Sequence, residues 1–236
     1  MSLINLVRSF LNPLKIDLVK YPNLDLRRRE KLLSHHKITK ILDVGANSGQ
    51  YALQTFKLGY KGEIVSFEPV NSTFKNLEKK AIKNKNWKVF NYGLGDKEEE
   101  LEINISENSY SSSLLDIMPS HLKSAPESKI VGKEVVVIKT LDAIFNNFVL
   151  DDEVVLLKLD VQGFEKNVLE GAIKSLKNIH GIQIEMSVEE LYSKEMLYLE
   201  MTNYITSLGY NLYSLENGFY DENSGKLLQV DGVFFR

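Results

Sequence analysis

Four acids stand where apolar, β-forming runs end: Asp43, Glu68, Asp160 and Glu185. Carboxylates gathered in this way can bind a divalent cation, act as general bases, or hold an ammonium group and paired hydroxyls. Asp43 leads directly into the turn Gly45-Ala-Asn-Ser-Gly49, and a helical pattern begins near Gln50. A buried strand that breaks into a glycine turn and opens a helix is how open α/β sheets present backbone to a ligand. Gly45 permits a sharp turn, and Gly49 is expected to let a ligand lie against the first helical turn. The pattern D-x-G-x-x-x-G lacks the third glycine of the dinucleotide fingerprint and the lysine of the phosphate-binding loop. An acid ahead of the turn would repel a pyrophosphate, which argues against an NAD(P) oxidoreductase. It suits instead a cationic ligand such as S-adenosylmethionine (SAM), which carries an ammonium and a sulfonium.

Glu68 follows Asp43 at the distance of one strand–helix–strand unit, where an acid can take both ribose hydroxyls of an adenosine. It also suits the cap of the helix entered at Pro69. In the turn Asn91-Tyr-Gly-Leu-Gly-Asp96, Asn91 and the glycines would let the chain approach an adenine ring. Asp160 closes the continuous apolar run from Val154, as expected of a strand buried on both faces. Because strand ends in an open parallel sheet share one crevice, Asp160 should lie beside Asp43. Asp160 and Glu185 are the candidate bases. His121, in the irregular stretch 106–132, is a third candidate, since its ring titrates near neutrality. The same acids could hold Mg²⁺, but no spacing is diagnostic and no metal site is assigned.

The elements that must position these groups alternate. Strands are expected over about 39–44, 62–68, 87–90, 154–160 and 179–186, with helices over 49–58 and 72–84, after Thr140 and after Gly163. Further strands are expected at 101–105 and 135–139, helices at 188–193 and 195–208, and a closing pair of strands at 210–215 and 230–235. This is an α/β domain over 38–236, preceded by a helical extension over 1–37. In the extension Leu3, Val7, Phe10, Leu11 and Leu14 recur at helical spacing, which suits packing on the domain or a homodimer contact. Arg27-Arg28-Arg29, flanked by Asp25 and Glu30, reads as a solvated face.

The 236 residues suffice for one α/β core, and 43% hydrophobic with 26% charged residues is ordinary globular composition. A formal net charge of -3 gives no footprint for nucleic acid. The absence of cysteine excludes disulfides and thiolate chemistry. No apolar run reaches the roughly 20 residues of a spanning helix, and we expect a cytoplasmic protein.

Taken together, DVGANSGQY at 43–51, FEP at 67–69, GLGD at 93–96, SSSL at 111–114, TLD at 140–142 and LLKLDVQGFE at 156–165 resemble the FkbM-type family of SAM-dependent methyltransferases. The resemblance implies a Rossmann-like, doubly wound, mostly parallel seven-stranded sheet with an antiparallel C-terminal strand. It implies transfer of a methyl group from SAM to a hydroxyl of a sugar, surface glycan or secondary metabolite. By matching positions, Asp43, Gly45, Ala46, Asn47 and Gly49 would hold the methionine portion, with Asp160 close by. Glu68 and Pro69 would hold the ribose, and Asn91, Gly93 and Asp96 would border adenine. The chain departs from the family pattern D-V-E-G-x-E at Gln162. An N-atom or lipid-linked acceptor, or a SAM-binding protein without catalysis, are the alternatives.

Overall fold

The computed structural model of the protein describes residues 3–16 and 21–236. Helices α1 (Leu3–Leu11) and α2 (Leu24–His35) precede β1 (Lys40–Val44), α3 (Gln50–Lys57), β2 (Glu63–Phe67), α4 (Asn71–Ala81) and β3 (Trp87–Phe90). Next come β4 (Gly93–Leu94), β5 (Glu99–Ser106), α5 (Pro119–Ser124), β6 (Ile130–Lys139) and α6 (Leu141–Ile144). The order closes with β7 (Val155–Leu159), α7 (Glu165–Glu170), β8 (Ile179–Ser187), α8 (Tyr198–Ser207), β9 (Asn211–Asn217) and β10 (Gln229–Phe235).

Seven strands form one sheet in the order β3-β2-β1-β7-β8-β10-β9. The pairs from β3 to β8 are parallel, and β10 runs antiparallel to both β8 and β9. Every residue of β1 and β7 is buried, which explains why they are apolar apart from Lys40, Asp43 and Lys158. Side chains alternate between two cores. Leu42, Val44, Leu157 and Leu159 pack with Leu141 of α6, Val168 of α7 and Ile205 of α8. Ile41, Ile64 and Leu156 pack on the other face with Leu33 of α2, Ala52 of α3 and Leu77 of α4. The sheet is therefore doubly wound. Strand order reverses between β1 and β7, and a crevice opens at their carboxyl ends.

Two expectations are corrected. Residues 106–132 are more regular than a loop: β5 and β6 pair antiparallel from Glu99↔Ile138 to Ser106↔Ile130, and β4 joins them in a second sheet. Residues 130–133 are exposed, so no burial pattern marks that half of β6 in the sequence, and main-chain pairing sets it. Residues 188–193 are not helical. The Glu195 carboxylate accepts from the N–H groups of Leu191 and Tyr192 and from Ser187 Oγ, which satisfies that backbone without a helix. The two helices of the N-terminal extension differ in their packing. Leu26 and Leu33 of α2 are buried, and His36 stacks on Phe235 with ring centroids 3.6 Å apart. Phe10 and Leu14 instead remain 80% and 67% exposed, so the domain does not cover them. Residues 1, 2 and 17–20 of the extension lie outside the described residues. Among the described residues no helix is long and apolar enough to cross a membrane.

Candidate active site

The turn after β1 is built around one close approach. Gly45 has φ +75°, and a Cβ there would lie 1.8 Å from the Asp160 carbonyl oxygen, so only glycine fits between β1 and β7. The Gly45 and Ala46 N–H groups donate to the Phe67 carbonyl at 3.1 and 3.0 Å, tying the turn to β2. Asn47, with φ 46°, donates its N–H to Glu68 Oε2 at 2.9 Å and its Nδ2 to the Ser109 carbonyl at 3.0 Å. Glu68 Oε1 accepts the Val70 N–H at 2.9 Å, which is the expected helix-entry cap. Burial outweighs these backbone hydrogen bonds and pushes the Glu68 carboxyl up to about 7. Each Oε still has a lone pair free for a ligand hydroxyl.

A polar floor lies under the crevice. Lys158 Nζ, buried on β7, sits 3.3 Å from both Asp43 Oδ1 and Asp160 Oδ2, so the two acids are neighbours through one ammonium. Burial opposes charge on Lys158, but Asp160 and Asp43 prevail and raise its pKa. Gln162 Nε2 donates to Asp160 Oδ1 and to Glu185 Oε2, each at 2.8 Å. Gln229 Nε2 also donates to Glu185 Oε2 at 2.8 Å, and Tyr192 donates its hydroxyl to Gln162 Oε1 at 2.6 Å. Burial, then the charges of Asp160 and Asp231, hold the Glu185 carboxyl well above the usual carboxylate range. Asp231 faces Glu185 in the β8–β10 register and is itself raised to about 6, chiefly by burial.

These groups border a cavity of about 320 Å³, within the range of small-molecule sites. Gly45, Asn47, Glu68, Pro69, Gly93, His121, Asp160 and Glu185 all line it. Near Glu68 the wall is apolar, with Val70, Leu94, Ile138 and Phe164. Asp160, Gln162, Glu185 and Gln229 form the opposite end; from Glu68 after β2, Asp160 after β7 lies two strands across the sheet and Glu185 on β8 three, or roughly 14 Å at ordinary strand spacing.

Five expected residues are placed elsewhere. Asp43 is fully buried, and its Oδ2 accepts from Ser66 Oγ at 2.9 Å while Oδ1 faces Lys158. Trp87 Nε1 donates to the same Ser66 Oγ at 2.9 Å, so a polar relay links β3, β2, β1 and β7. Gly49 has φ +85°, but a Cβ there would meet Trp87 at 2.5 Å, so this glycine serves packing rather than ligand approach. Ala46 belongs to the core around Ile41. Asn91 Nδ2 braces the Glu68 and Pro69 carbonyls, each at 2.9 Å. Asp96 is exposed and accepts from Asn167 at 3.1 Å. The cavity residues that sequence reasoning did not reach include Glu127, Ser128, Phe164, Phe219 and Gln229. Phe164 stands inside the LDVQGFE run, and Gln229 starts the strand beside Glu185, but no motif marks Glu127 or Phe219.

A fit to SAM follows from the donor set. Glu68 offers two acceptors at one end, the apolar wall suits a purine, and the Asp160 carboxylate suits an ammonium. Among the described residues no group of three or more His, Cys, Asp or Glu side chains is arranged to hold a metal ion.

Similar folds occur in solved structures. A methyltransferase FkbM from Methylobacillus flagellatus KT is 16% identical, covers 83% of this chain and superposes with a TM-score of 0.51. The chain spans 43% of that protein's length. An uncharacterized protein from Listeria monocytogenes serotype 4b is 9% identical and has a TM-score of 0.50, covering 90% of this chain and 67% of its own. At such identities the likeness shows the fold. No curated protein matches the chain. The methyltransferase FkbM domain family matches residues 43–212, which take in the turn after β1, the second sheet and the whole Asp160–Gln162–Glu185 floor, and the chain belongs to that family.

Proposed function

We propose that the protein is a SAM-dependent O-methyltransferase acting on a hydroxyl of a sugar, surface glycan or secondary metabolite. The observation that carries this reading is the two-ended cavity. Glu68 and an apolar wall lie at one end, and a carboxylate pair tied by a donating amide lies at the other. When bound, SAM supplies a methyl group on a positively charged sulfur. Glu68 holds the ribose hydroxyls with the lone pairs that Asn47 and Val70 leave free. The turn from Gly45 to Asn47 backs the middle of the ligand. Asp160, held at 2.8 Å by Gln162 and at 3.3 Å by Lys158, keeps a fixed orientation toward the crevice. Glu185 takes the proton of the acceptor hydroxyl at Oε1, because Oε2 already accepts from Gln162 and Gln229. Burial and the charges of Asp160 and Asp231 raise its pKa, which strengthens the carboxylate as a base. The family's usual Glu is replaced here by Gln162. Its amide completes the floor rather than leaving a gap, which supports turnover over mere binding.

Calorimetric titration with S-adenosylhomocysteine, the demethylated product, run beside NADH, tests the reading. Micromolar binding of the first and none of the second is expected. Absence of S-adenosylhomocysteine binding would remove the proposal and leave only the fold.

A further inference from the structure

The wall facing the sheet carries a polar side chain that the reaction above does not use. His121, on α5, is 3% exposed and lines the cavity, yet its Nδ1 has no hydrogen-bond partner. Its other nitrogen, Nε2, lies 3.2 Å from Ser128 Oγ. The direction of that bond follows from counting protons. Asn108 Oδ1 accepts from the N–H groups of Tyr110 and Ser111, which fixes the amide orientation and leaves Nδ2 as donor. Nδ2 donates to Ser111 Oγ and to Ser128 Oγ, each at 3.1 Å. Ser111 and Ser128 hydroxyls stand 2.8 Å apart, and only one can donate. If Ser128 donated, the Ser111 proton would have no acceptor within the protein. Ser111 therefore donates to Ser128, Ser128 donates to His121 Nε2, and the imidazole proton resides on Nδ1. Burial keeps this ring neutral by pushing its pKa to about 4, against the opposing charge of Glu127. The buried group that faces the cavity is thus a neutral N–H donor.

Its position assigns it to the acceptor end. The His121 ring lies edge-on to Tyr192 at 5.1 Å and beside Phe219 at 5.5 Å. Tyr192 donates to Gln162, which ties Asp160 to Glu185, while the Phe219 carbonyl accepts the Gln229 N–H at 3.0 Å. The charged lining residues are Glu68, Glu127, Asp160 and Glu185, and among the described lining residues there is no Lys or Arg. Lys158 lies beneath the floor, 93% shielded and spoken for by Asp43 and Asp160.

Resting on the O-methyltransferase reading, we propose that this end accepts an uncharged or amine-bearing polyhydroxyl compound, one of whose oxygens accepts from His121 Nδ1–H, and excludes acceptors carrying phosphate, sulfate or carboxylate. Phe219 offers an apolar face to the ring carbons of such a compound. A phosphate there would meet Asp160, Glu185 and Glu127, with no Lys or Arg in the lining to offset them.

Nitrogen-15 NMR of the histidine rings in the full chain, with S-adenosylhomocysteine added, tests the tautomer directly, using His121→Gln to assign the signals. A neutral ring protonated at Nδ1 is expected. A ring protonated at Nε2, or a doubly protonated one, overturns the proposal even if S-adenosylhomocysteine binds. Loss of that binding instead removes the underlying reading. A second arm uses methyl-labelled SAM with a matched set: a methyl hexoside, its 2-amino analogue, its 6-phosphate and its uronic acid. Label in the first two supports the proposal, and equal or greater label in the last two overturns it. For a labelled acceptor, His121→Phe should raise KM about five- to tenfold for one lost hydrogen bond, with kcat and S-adenosylhomocysteine affinity little changed. His121→Gln, which keeps an N–H donor, should recover part of the loss.

Discussion

Asp43 and Glu68 look alike in the sequence, two acids at the ends of neighbouring strands, yet the structure gives them opposite work. Asp43 neutralises Lys158 beneath the floor, whereas Glu68 faces the cavity. Asp43→Ala should leave the buried Lys158 ammonium with Asp160 alone and cost about 3–5 kcal/mol, read by urea denaturation, while the folded protein keeps its affinity for S-adenosylhomocysteine. Glu68→Gln should show the reverse, with small stability change and affinity weakened about ten- to a hundredfold. The opposite pattern would exchange the two assignments. Gln162 invites a second test. Its amide donates to both Asp160 and Glu185, and a glutamate there would donate to one at most, and only when protonated. Gln162→Glu should therefore raise the pKa of the new carboxyl. Its stabilising protonated form is present below the ordinary glutamate pKa and is lost as pH rises through the raised value. Thermal midpoints of the variant and the parent should diverge with increasing pH; parallel curves would show that the bridging amide has no energetic role.

At the scale of elements, legibility followed burial. The β1 and β7 runs are mostly apolar because both faces are covered, with Asp43 and Lys158 as the buried pair that crosses between them, and each strand was plain in the sequence. The half of β6 that is exposed, and the segment 188–193 held by the Glu195 side chain, were not legible, because their conformations depend on partners distant in sequence or on a side chain competing with helix bonds. The end of the cavity beside Glu68 was half legible. The glycine turn announced itself, but the role of Gly49 could be seen only once Trp87 was placed against it. At the other end Asp160, Glu185 and His121 were legible as candidates, whereas Phe219 and Gln229 were not, since they come from segments without a motif. The N-terminal helices show the same dependence on packing. Both are helical, but among the described side chains the buried ones, Leu26 and Leu33, belong to α2. Leu33→Ala should cost about 2–5 kcal/mol as a core truncation, whereas Phe10→Ser should change stability by less than about 0.5 kcal/mol. Equal effects in chemical denaturation would mean that α1 is packed as firmly as α2.

Across the whole molecule, the acids that build the crevice set stability and binding against each other. Burial is the first cause that raises Glu68 to about 7, Glu165 to about 8 and Asp231 to about 6. Each carboxyl binds its proton more tightly folded than unfolded. Its contribution to stability is thus complete below the ordinary carboxylate pKa of roughly 4 and is lost as pH rises through the folded value. His121 acts in the other sense: lowered to about 4 by burial, it favours the folded state above the ordinary histidine pKa and loses that contribution as pH falls. Above roughly pH 6.5 the histidine is neutral in both states, and only the carboxyls remain. The thermal midpoint should therefore fall between about pH 6.5 and 8.5. Affinity for S-adenosylhomocysteine should rise up to about 7, because Glu68 must lose its proton to accept both ribose hydroxyls. The stabilisation conferred by the ligand should then be greatest where the free protein is weakest. Glu68→Gln separates the two trends. It should flatten the pH dependence of affinity while the midpoint still declines through Glu165 and Asp231. An affinity that stays pH-dependent in that variant would move the ribose contact to another acid of the crevice.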